Sequence, residues 1–438
     1  MAAEGGDPIA SSSGTRRLKP AASGWESWSK TLAIPAIILA VLIARRPASL
    51  LHADFWAEDG WHWYPDAYND GWRALFRPYA GYLQSICRLV GLIVQPFPLL
   101  WAPTLFSIAA LGVQVAAACL LLSSRMNAAW PHRPSRMLFA FIYLLLPNSF
   151  EIYANLTNAQ WHLSLVAFLL LVAIPARTSW GRVADFLLIM LCGLSGPFCL
   201  FLFPVSIWQA WRKRDRESTW KLALVFTCCI VQATLSIDAG RGASPHLGAG
   251  PRRLAVIIAL QIILGTEIGR HAMPGVIHTV LWSDNALPIL ISFAAAALTL
   301  MAVHSGSVLV RQFILYAALV LSAGLLRPAT GSMVPAWMLF TTPDIGNRYY
   351  VIPMLAWIGV LLTLAGSRRL AVARMAYVLI AAVLVAIPGD LHFATRLATS
   401  PPTNFASQAH IFASAPHGLQ MRFPLRPEGA PPMILTKR

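Results

Sequence analysis

The sequence predicts an all-α polytopic membrane protein that crosses the bilayer many times. Of its 438 residues, 57% are hydrophobic and only 12% are charged, whereas soluble domains carry about 25% charged residues. The mean hydropathy is +0.60, and long stretches contain no charge at all. Too few charged side chains remain to cover a soluble core, so lipid must be the solvent for these stretches.

Eleven transmembrane helices are predicted from the length of the apolar stretches, and the basic loops between them predict their orientation. A basic tail, residues 1–30, is predicted to be disordered and cytoplasmic. The predicted spans fall at about 31–50, 101–123, 137–147, 161–176, 221–238, 286–303, 312–326, 349–366 and 375–390, with two more short helices in 183–209. That short pair is broken at Gly193 to Pro197, because Gly and Pro interrupt a membrane helix. The transmembrane domain covers 31–390, and 391–438 is predicted to be a short outer tail.

Two longer segments are predicted to lie on the outer side. The first outer loop, 51–100, contains a predicted surface helix at 81–95, and the outer segment 239–285 contains another at 254–269. The net charge of +16 comes from basic residues in short clusters between apolar stretches. Such clusters indicate topology rather than a nucleic-acid surface, so no nucleic-acid partner is expected.

The first outer loop contains an adjacent pair of carboxylates, Glu58 and Asp59. Carboxylates that lie side by side and are buried have raised pKa values, which suits a general base. Nearby aromatic residues offer faces of the kind that bind sugars: Trp56, Trp61, Tyr79 and Tyr82. The alternative is a solvated loop whose acids cap the helix that follows.

A second group of polar residues lies between two predicted spans, at 147–162. Its amide and imidazole side chains suit recognition of sugar hydroxyls, and the candidates are Asn155, Asn158, Gln160 and His162. The alternative is that Asn and Thr in this loop only cap helices.

A third group contains one arginine at the predicted outer end of a span, in the segment Asp344 to Tyr350. A guanidinium can hold a phosphate with two parallel hydrogen bonds, which makes Arg348, beside Tyr349, a candidate for phosphate binding. Arg45 and Arg46, at the outer end of the first predicted span, are candidates to assist it. Their alternative role is to reach the lipid headgroups.

These three groups, in this order along a polytopic chain, resemble the GT-C glycosyltransferases, which include the protein O-mannosyltransferases and the lipid A aminoarabinose transferases. Glu58-Asp59 resembles the acidic pair in the first outer loop of that superfamily. Arg348-Tyr349, followed by Pro353, resembles its Arg-Tyr-x-x-Pro element, and the break at 194–197 resembles its Gly-rich interruption. The family often has Asp-Glu or Asp-x-Asp where this chain has Glu-Asp. The identity of the base therefore stays open, and the shorter side chain favours Asp59.

The resemblance implies a GT-C-like helix bundle and a hexosyl- or pentosyltransferase. The sugar donor would be a polyprenyl-phosphate sugar, the acceptor a cell-envelope glycan or lipid, and the reaction would invert the anomeric carbon. The expected location is the bacterial inner membrane, with the N-terminus cytoplasmic and both the active site and the C-terminus outside. No cofactor is required, although carboxylates and His can bind a divalent metal ion, which leaves a metal near Glu58, Asp59 and His52 open.

Three other classes of function compete with this interpretation. A transporter or flippase of lipid-linked sugars should carry ionisable residues at mid-membrane depth, whereas Asp, Glu and Arg here cluster near the ends of the predicted spans. An O-antigen ligase, a polymerase or an acyltransferase is a second class. The third is a non-enzymatic partner in an outward-facing complex.

Overall fold

The computed structural model describes residues 24–238, 246–328, 334–399, 403–427 and 430–438. Within these residues the fold is mostly helical, with one small antiparallel sheet near the C-terminus. Most of the predicted disordered tail, residues 1–23, lies outside the described residues. The first helix begins at Gly24, earlier than the predicted start of the first span at residue 31, and ends at Arg45.

The described helices and strands follow one another in this order. The α-helices are α1 (Gly24–Arg45), α2 (Ala48–Leu51), α3 (Tyr64–Asp70), α4 (Ser85–Val94), α5 (Ala102–Leu122), α6 (Arg133–Leu144), α7 (Ala159–Val172), α8 (Ser179–Gly193), α9 (Phe198–Lys213), α10 (Arg216–Asp238), α11 (Pro251–Ile257), α12 (Gly265–Glu267), α13 (Gly269–Ile277), α14 (Val280–Ser283), α15 (Ala286–Ser305), α16 (Val308–Leu326), α17 (Ala336–Leu339), α18 (Val351–Ala365), α19 (Leu370–Thr399) and α20 (Phe405–Ser414). Short 3-10 turns cover Gly71–Phe76, Leu99–Trp101, Ser124–Met126, Phe150–Ile152 and Asn347–Tyr350, and π-helical turns cover Asp59–Trp63 and Ile258–Leu264. The strands are β1 (Gln420–Phe423) and β2 (Met433–Thr436).

Six helical stretches of the described residues are long and apolar enough to cross a membrane. They are Leu99–Leu122, Arg216–Ile237, Ala286–Ser305, Val308–Leu326, Asn347–Ala365 and Leu370–Leu391. Each coincides with one of the predicted spans. Shorter apolar helices cover Leu32–Arg45, Ser85–Val94 and Ala159–Val172, and the full count of eleven spans remains a prediction.

Two helices, α7 and α18, form the centre of the bundle. Both are apolar on every side, and nearly all of their residues are buried, as expected for helices surrounded by other helices. α7 packs against α5, α8 and α9, and α18 packs against α15, α16 and α19. The ring of Trp161, near the start of α7, meets the ring of Tyr349, just before α18, edge to face at 5.7 Å. The N-terminal ends of the two central helices therefore lie at the same end of the bundle.

The first outer loop folds into short helices around a buried ion pair. Arg88 on α4 is only 1% exposed, and its guanidinium bonds the Asp66 carboxylate on α3 at 2.5 Å. The same guanidinium lies 4.9 Å from the centre of the Trp63 ring. The predicted helix at 81–95 corresponds to α4, and the buried pair fixes it against α3.

The predicted break between two short helices separates α8 from α9. Gly196 adopts a left-handed conformation there, with φ of +93°, which glycine adopts without steric cost. Its backbone N–H donates to the Leu83 carbonyl at 2.8 Å, and a Cβ at this glycine would fall 2.4 Å from Oε1 of Gln160. The break thus joins the first outer loop to the start of α7.

The helix predicted to lie on the surface at 254–269 is instead packed into the bundle, which corrects that prediction. It corresponds to α11, the π-helical turn and α12, which pack against α15 and α18. Gln261 in its middle is fully buried and donates to the carbonyls of Phe340 and Thr342, at 2.9 and 2.8 Å. The backbone carbonyls of a neighbouring segment satisfy the two amide N–H donors of Gln261, whereas its Oε1 has no partner among the described residues.

The C-terminal segment, predicted to be a short tail, is folded and covers the first outer loop. It contains α20 and the β1–β2 pair, a small ribbon within an otherwise helical fold that agrees with the predicted all-α class. The Arg426 backbone N–H donates to the Phe55 carbonyl at 2.8 Å, and its side chain forms an ion pair with Asp54 at 3.2 Å. Phe405 meets Phe55 edge to face at 5.5 Å. The sequence did not indicate these contacts, because they join residues more than 340 positions apart.

Candidate functional site

Three segments far apart in the sequence meet at the end of the bundle where α7 and α18 begin. They are the first outer loop around Glu58 and Asp59, the loop 147–158 before α7, and the 3-10 turn Asn347–Tyr350 before α18. The middle loop contacts both of the others through hydrogen bonds to carboxylates, described next.

Asp59 joins the first outer loop to the loop before α7. It begins a π-helical turn, a feature often found at functional sites, and is only 2% exposed. Its carboxylate accepts backbone N–H bonds from Leu156 at 3.1 Å and from Thr157 at 2.8 Å. Burial raises the pKa of Asp59 to about 7, although these two hydrogen bonds act in the opposite direction. Both oxygens of Asp59 are thus engaged by the protein itself.

Glu58, unlike Asp59, is only partly buried. Within the described part of the chain, its carboxylate has no hydrogen-bond or ion-pair partner. Burial raises the pKa of the Tyr79 hydroxyl to about 12, with the charge of Glu58 adding to the rise and the charge of Arg348 opposing it. Glu58 and Arg348 therefore both lie within electrostatic reach of one partly exposed hydroxyl.

Arg348 is held by a carboxylate of the loop before α7. Its Nη1 bonds Oε1 of Glu151 at 2.5 Å, and its backbone N–H donates to the other oxygen, Oε2, at 3.0 Å. The guanidinium carbon also lies 5.0 Å from the centre of the Tyr349 ring. The Arg348 side chain is held by Glu151 and is still 29% exposed, so solvent reaches part of it.

The amides of the loop before α7 mostly bond within the loop. The side chains of Asn155 and Asn158 both donate to the carbonyl of Glu151, and Asn158 also donates to Oδ1 of Asn155 at 2.9 Å. Both asparagines are buried. They shape the backbone that presents Glu151, whereas the sequence suggested that they bind sugar hydroxyls or cap helices. Gln160 is partly exposed, and its Oε1 has no partner among the described residues.

Three other predicted site residues do not contact Glu58 or Arg348. Arg45 is buried and donates to the carbonyls of Leu144 and Leu146 and to the Ser149 hydroxyl, at 2.8, 3.2 and 2.8 Å. His162 is buried between the Tyr143 hydroxyl and the Ile152 carbonyl, at 2.9 and 3.2 Å. Arg46 lines a small separate pocket with His52 and Arg426. The structure brings none of the three together with Glu58 and Arg348.

The four predicted aromatic residues of the first outer loop have different neighbours. Trp56 pairs with Arg426, and Trp61 donates its ring N–H to the Pro431 carbonyl at 2.6 Å, so both contact the C-terminal segment. Tyr79 and Tyr82 exchange backbone hydrogen bonds at 2.9 and 3.1 Å, and the charges of Glu58 and Arg348 both act on the Tyr79 hydroxyl. Tyr79 therefore adjoins the candidate site.

No three His, Cys, Asp or Glu side chains come together in the described residues in a way that could hold a metal ion. Of the three possible metal ligands named from the sequence, Asp59 and His52 contact other groups of the protein. The Asp59 oxygens accept backbone N–H bonds, and His52 lies in the pocket beside Asp54 and Arg46.

Glu151 is the site residue that the sequence analysis missed. It lies in a loop of amides, where its partnership with an arginine 197 residues away cannot be deduced from spacing. The available signal was its charge, since it is the sole acidic residue of the loop 147–162.

The pKa of Asp59 predicts a pH dependence of stability. Because the folded state holds the Asp59 proton up to about pH 7 and the unfolded state releases it near pH 3.8, folding binds an extra proton between these values. The free energy of unfolding contributed by Asp59 should therefore fall as pH rises from 4 to 7, by up to about 4 kcal/mol. Thermal unfolding of the detergent-solubilised protein should show this slope, and Asp59→Asn should lack it. Parallel curves for both proteins would contradict the buried, protonated carboxyl.

Comparison with models of protein families gave no match, and comparison with curated proteins gave none either.

Proposed function

We propose that the chain is a membrane glycosyltransferase that uses a polyprenyl-phosphate sugar, with Glu58 as the general base and Arg348 as the group that binds the donor phosphate. One observation carries the proposal. The loop before α7 bonds both Asp59, the neighbour of the unpaired Glu58, and the guanidinium of Arg348. It therefore brings a carboxylate and a positioned cation to the same end of the bundle. A base and an anion-binding group at one site suit transfer from a phosphate leaving group.

Arg348 is suited to the phosphate because its guanidinium is already oriented. Glu151 fixes the planar group through Nη1, and the side chain is 29% exposed, which lets a phosphate approach it. A cation that is fixed before the reaction stabilises the charge that develops on the leaving phosphate without further ordering.

Glu58 is preferred to Asp59 as the base because its carboxylate is free to accept a proton. It would take the proton of an acceptor hydroxyl while that oxygen forms a bond to the anomeric carbon of the sugar. The bond from that carbon to the phosphate oxygen breaks, and its electron pair leaves with the lipid phosphate near Arg348. Attack opposite the leaving group inverts the configuration.

Asp59 acts in this proposal as a positioning residue. Its two hydrogen bonds to Leu156 and Thr157 hold the loop that carries Glu151, and hence Arg348, against the loop that carries Glu58. Losing the bonds would separate base and cation by small distances, to which transfer reactions are sensitive.

The direct test compares cell-surface glycans by mass spectrometry with and without the gene. The loss of one sugar would identify both the sugar and the acceptor, and purified protein should then transfer that sugar from its polyprenyl phosphate. If the purified protein instead moves lipid-linked sugar across vesicles without cleaving it, the transporter interpretation replaces this one.

The proposal also requires the candidate site to face outward in the bacterial inner membrane, with the N-terminus inside. The basic clusters at 212–221 and 368–374 predict this orientation. A reporter that is active only outside should be silent when fused after residue 216 and active when fused after residue 400. The reverse pattern would place the site in the cytoplasm and exclude an outward-facing donor.

A further inference from the structure

An apolar cavity of about 600 Å³ lies in the bundle away from the candidate site. Its volume falls in the range of roughly 300–1,000 Å³ that is typical of pockets that bind a ligand. The walls come from α5, α6, α7, α16, α18 and α19, and are mainly aliphatic and aromatic. Representative wall residues are Phe139, Leu165, Phe168, Phe313, Ile314 and Leu362.

The cavity lies at the opposite end of the two central helices from the candidate site. α18 starts just after Arg348, whereas the residues of this helix and its C-cap that line the cavity lie between Ala356 and Gly366. A helix rises about 1.5 Å per residue, so the 15 residues of α18 separate its two ends by roughly 20 Å. A ligand in the cavity would therefore bind at a site separate from the candidate site.

One end of the cavity, its mouth, adjoins segments whose charged residues are all basic. It lies where α6, α16 and α19 begin, beside His132, Ser307 and Gly366. Exposed arginines follow or flank these positions, namely Arg133, Arg311, Arg368 and Arg369. The joining segments 123–135, 306–311 and 366–369 contain no Asp or Glu.

The helices that line the cavity place it within reach of a lipid bilayer. Four of its wall helices, α5, α16, α18 and α19, belong to the stretches that are long and apolar enough to cross a membrane. The ends of such helices lie near the headgroups, where basic pockets between helices attract anionic lipids. A hydrocarbon chain would bury its surface against the apolar walls, while a phosphate at the mouth would meet the guanidinium groups.

We propose that this cavity binds one acyl chain of an anionic phospholipid, whose phosphate is held by the arginines at the mouth. The lipid would come from the leaflet opposite the candidate site. The proposal stands apart from sugar transfer, because none of the residues that line the cavity belongs to the candidate site.

Filling the cavity tests the position of the acyl chain. Gly359 lines the wall, and a Cβ there would meet only Phe313, at 3.9 Å, so Gly359→Leu extends into the space. Gly112→Leu is the matched control, because Gly112 is also inside a helix, has open space around it and does not line the cavity. After lipid exchange with added phosphatidylglycerol, native mass spectrometry should show one retained lipid in the unmodified protein and in the control. In Gly359→Leu, the amount of retained phosphatidylglycerol should fall at least tenfold.

The role of the arginines at the mouth is tested by comparing the retention of an anionic and a zwitterionic lipid. The unmodified protein should retain phosphatidylglycerol over phosphatidylcholine, and Arg133→Gln combined with Arg368→Gln should reduce that preference about fivefold for each charge removed. Equal retention of both lipids by the unmodified protein would show a chain-binding crevice without headgroup recognition and would overturn the proposal.

A measurement that does not rely on the filled variant protects the test against misfolding. Trp130 lines the cavity, so phosphatidylglycerol with brominated acyl chains should quench its fluorescence. The quenched fraction should fall in Trp130→Phe, which retains an aromatic wall. Identical quenching in the two proteins, or undiminished lipid retention in a folded Gly359→Leu, would show that the chain lies elsewhere.

Discussion

Glu58→Gln is expected to reduce sugar transfer by about 10²- to 10⁴-fold, the usual contribution of a general base. The amide keeps the shape of the side chain and cannot accept the acceptor proton. The protein should still accumulate in the membrane, because Glu58 has no hydrogen-bond or ion-pair partner within the described residues whose loss would weaken the fold. Transfer from a polyprenyl-phosphate sugar by purified protein measures the effect.

Asp70→Asn is the matched control for this prediction. Asp70 lies in the same outer loop, and its carboxylate pairs with Arg77 at the surface, where an ion pair contributes little to stability. Its rate should stay close to that of the unmodified protein. Asp59→Asn should lower both the rate and the thermal stability, since it removes a buried anchor. If Asp59→Asn alone abolished transfer at unchanged stability, and Glu58→Gln had no effect, Asp59 would be the base.

Arg348→Lys is expected to raise the apparent KM for the lipid donor about 10- to 150-fold, the range that corresponds to one charged hydrogen bond of roughly 1.5–3 kcal/mol. Lysine keeps the positive charge but lacks the planar pair of donors, so it cannot contact Glu151 and a phosphate in the same way. The KM for the acceptor should change much less. Steady-state kinetics with donor and acceptor varied separately measures the difference.

Two further variants separate donor binding from folding. Arg348→Ala leaves the Glu151 carboxylate without its partner, which is costly for a partly buried charge, whereas the double variant Arg348→Ala with Glu151→Ala removes both charges. The double variant should recover stability but not donor affinity. Arg125→Lys is the control, because Arg125 has a similar two-pronged contact with Asp185 away from the site. Unchanged donor KM in Arg348→Lys and in the double variant would remove Arg348 from the site.

The sequence by itself determined the class of the protein and most of its long helices. Apolar length is a local property, so the stretches 286–303, 312–326 and 375–390 correspond to α15, α16 and α19, although α19 extends well beyond both predicted ends. The break at Gly193 to Pro197 was also local, because glycine and proline act on their own backbone. The residues Glu58, Asp59 and Arg348 stood out for a similar reason, as charges next to apolar stretches.

Only the tertiary structure decided how these residues are used. The partner of Arg348 is Glu151, the donors to Asp59 are N–H groups of Leu156 and Thr157, and the cover over the first outer loop is the C-terminal segment. Each of these contacts joins positions about 100 to 370 residues apart, and hydrophobic periodicity carries no information about such pairings. Burial decided the rest, because it raises the pKa of Asp59 and leaves Glu58 as the accessible carboxylate, although the two residues are adjacent in the chain.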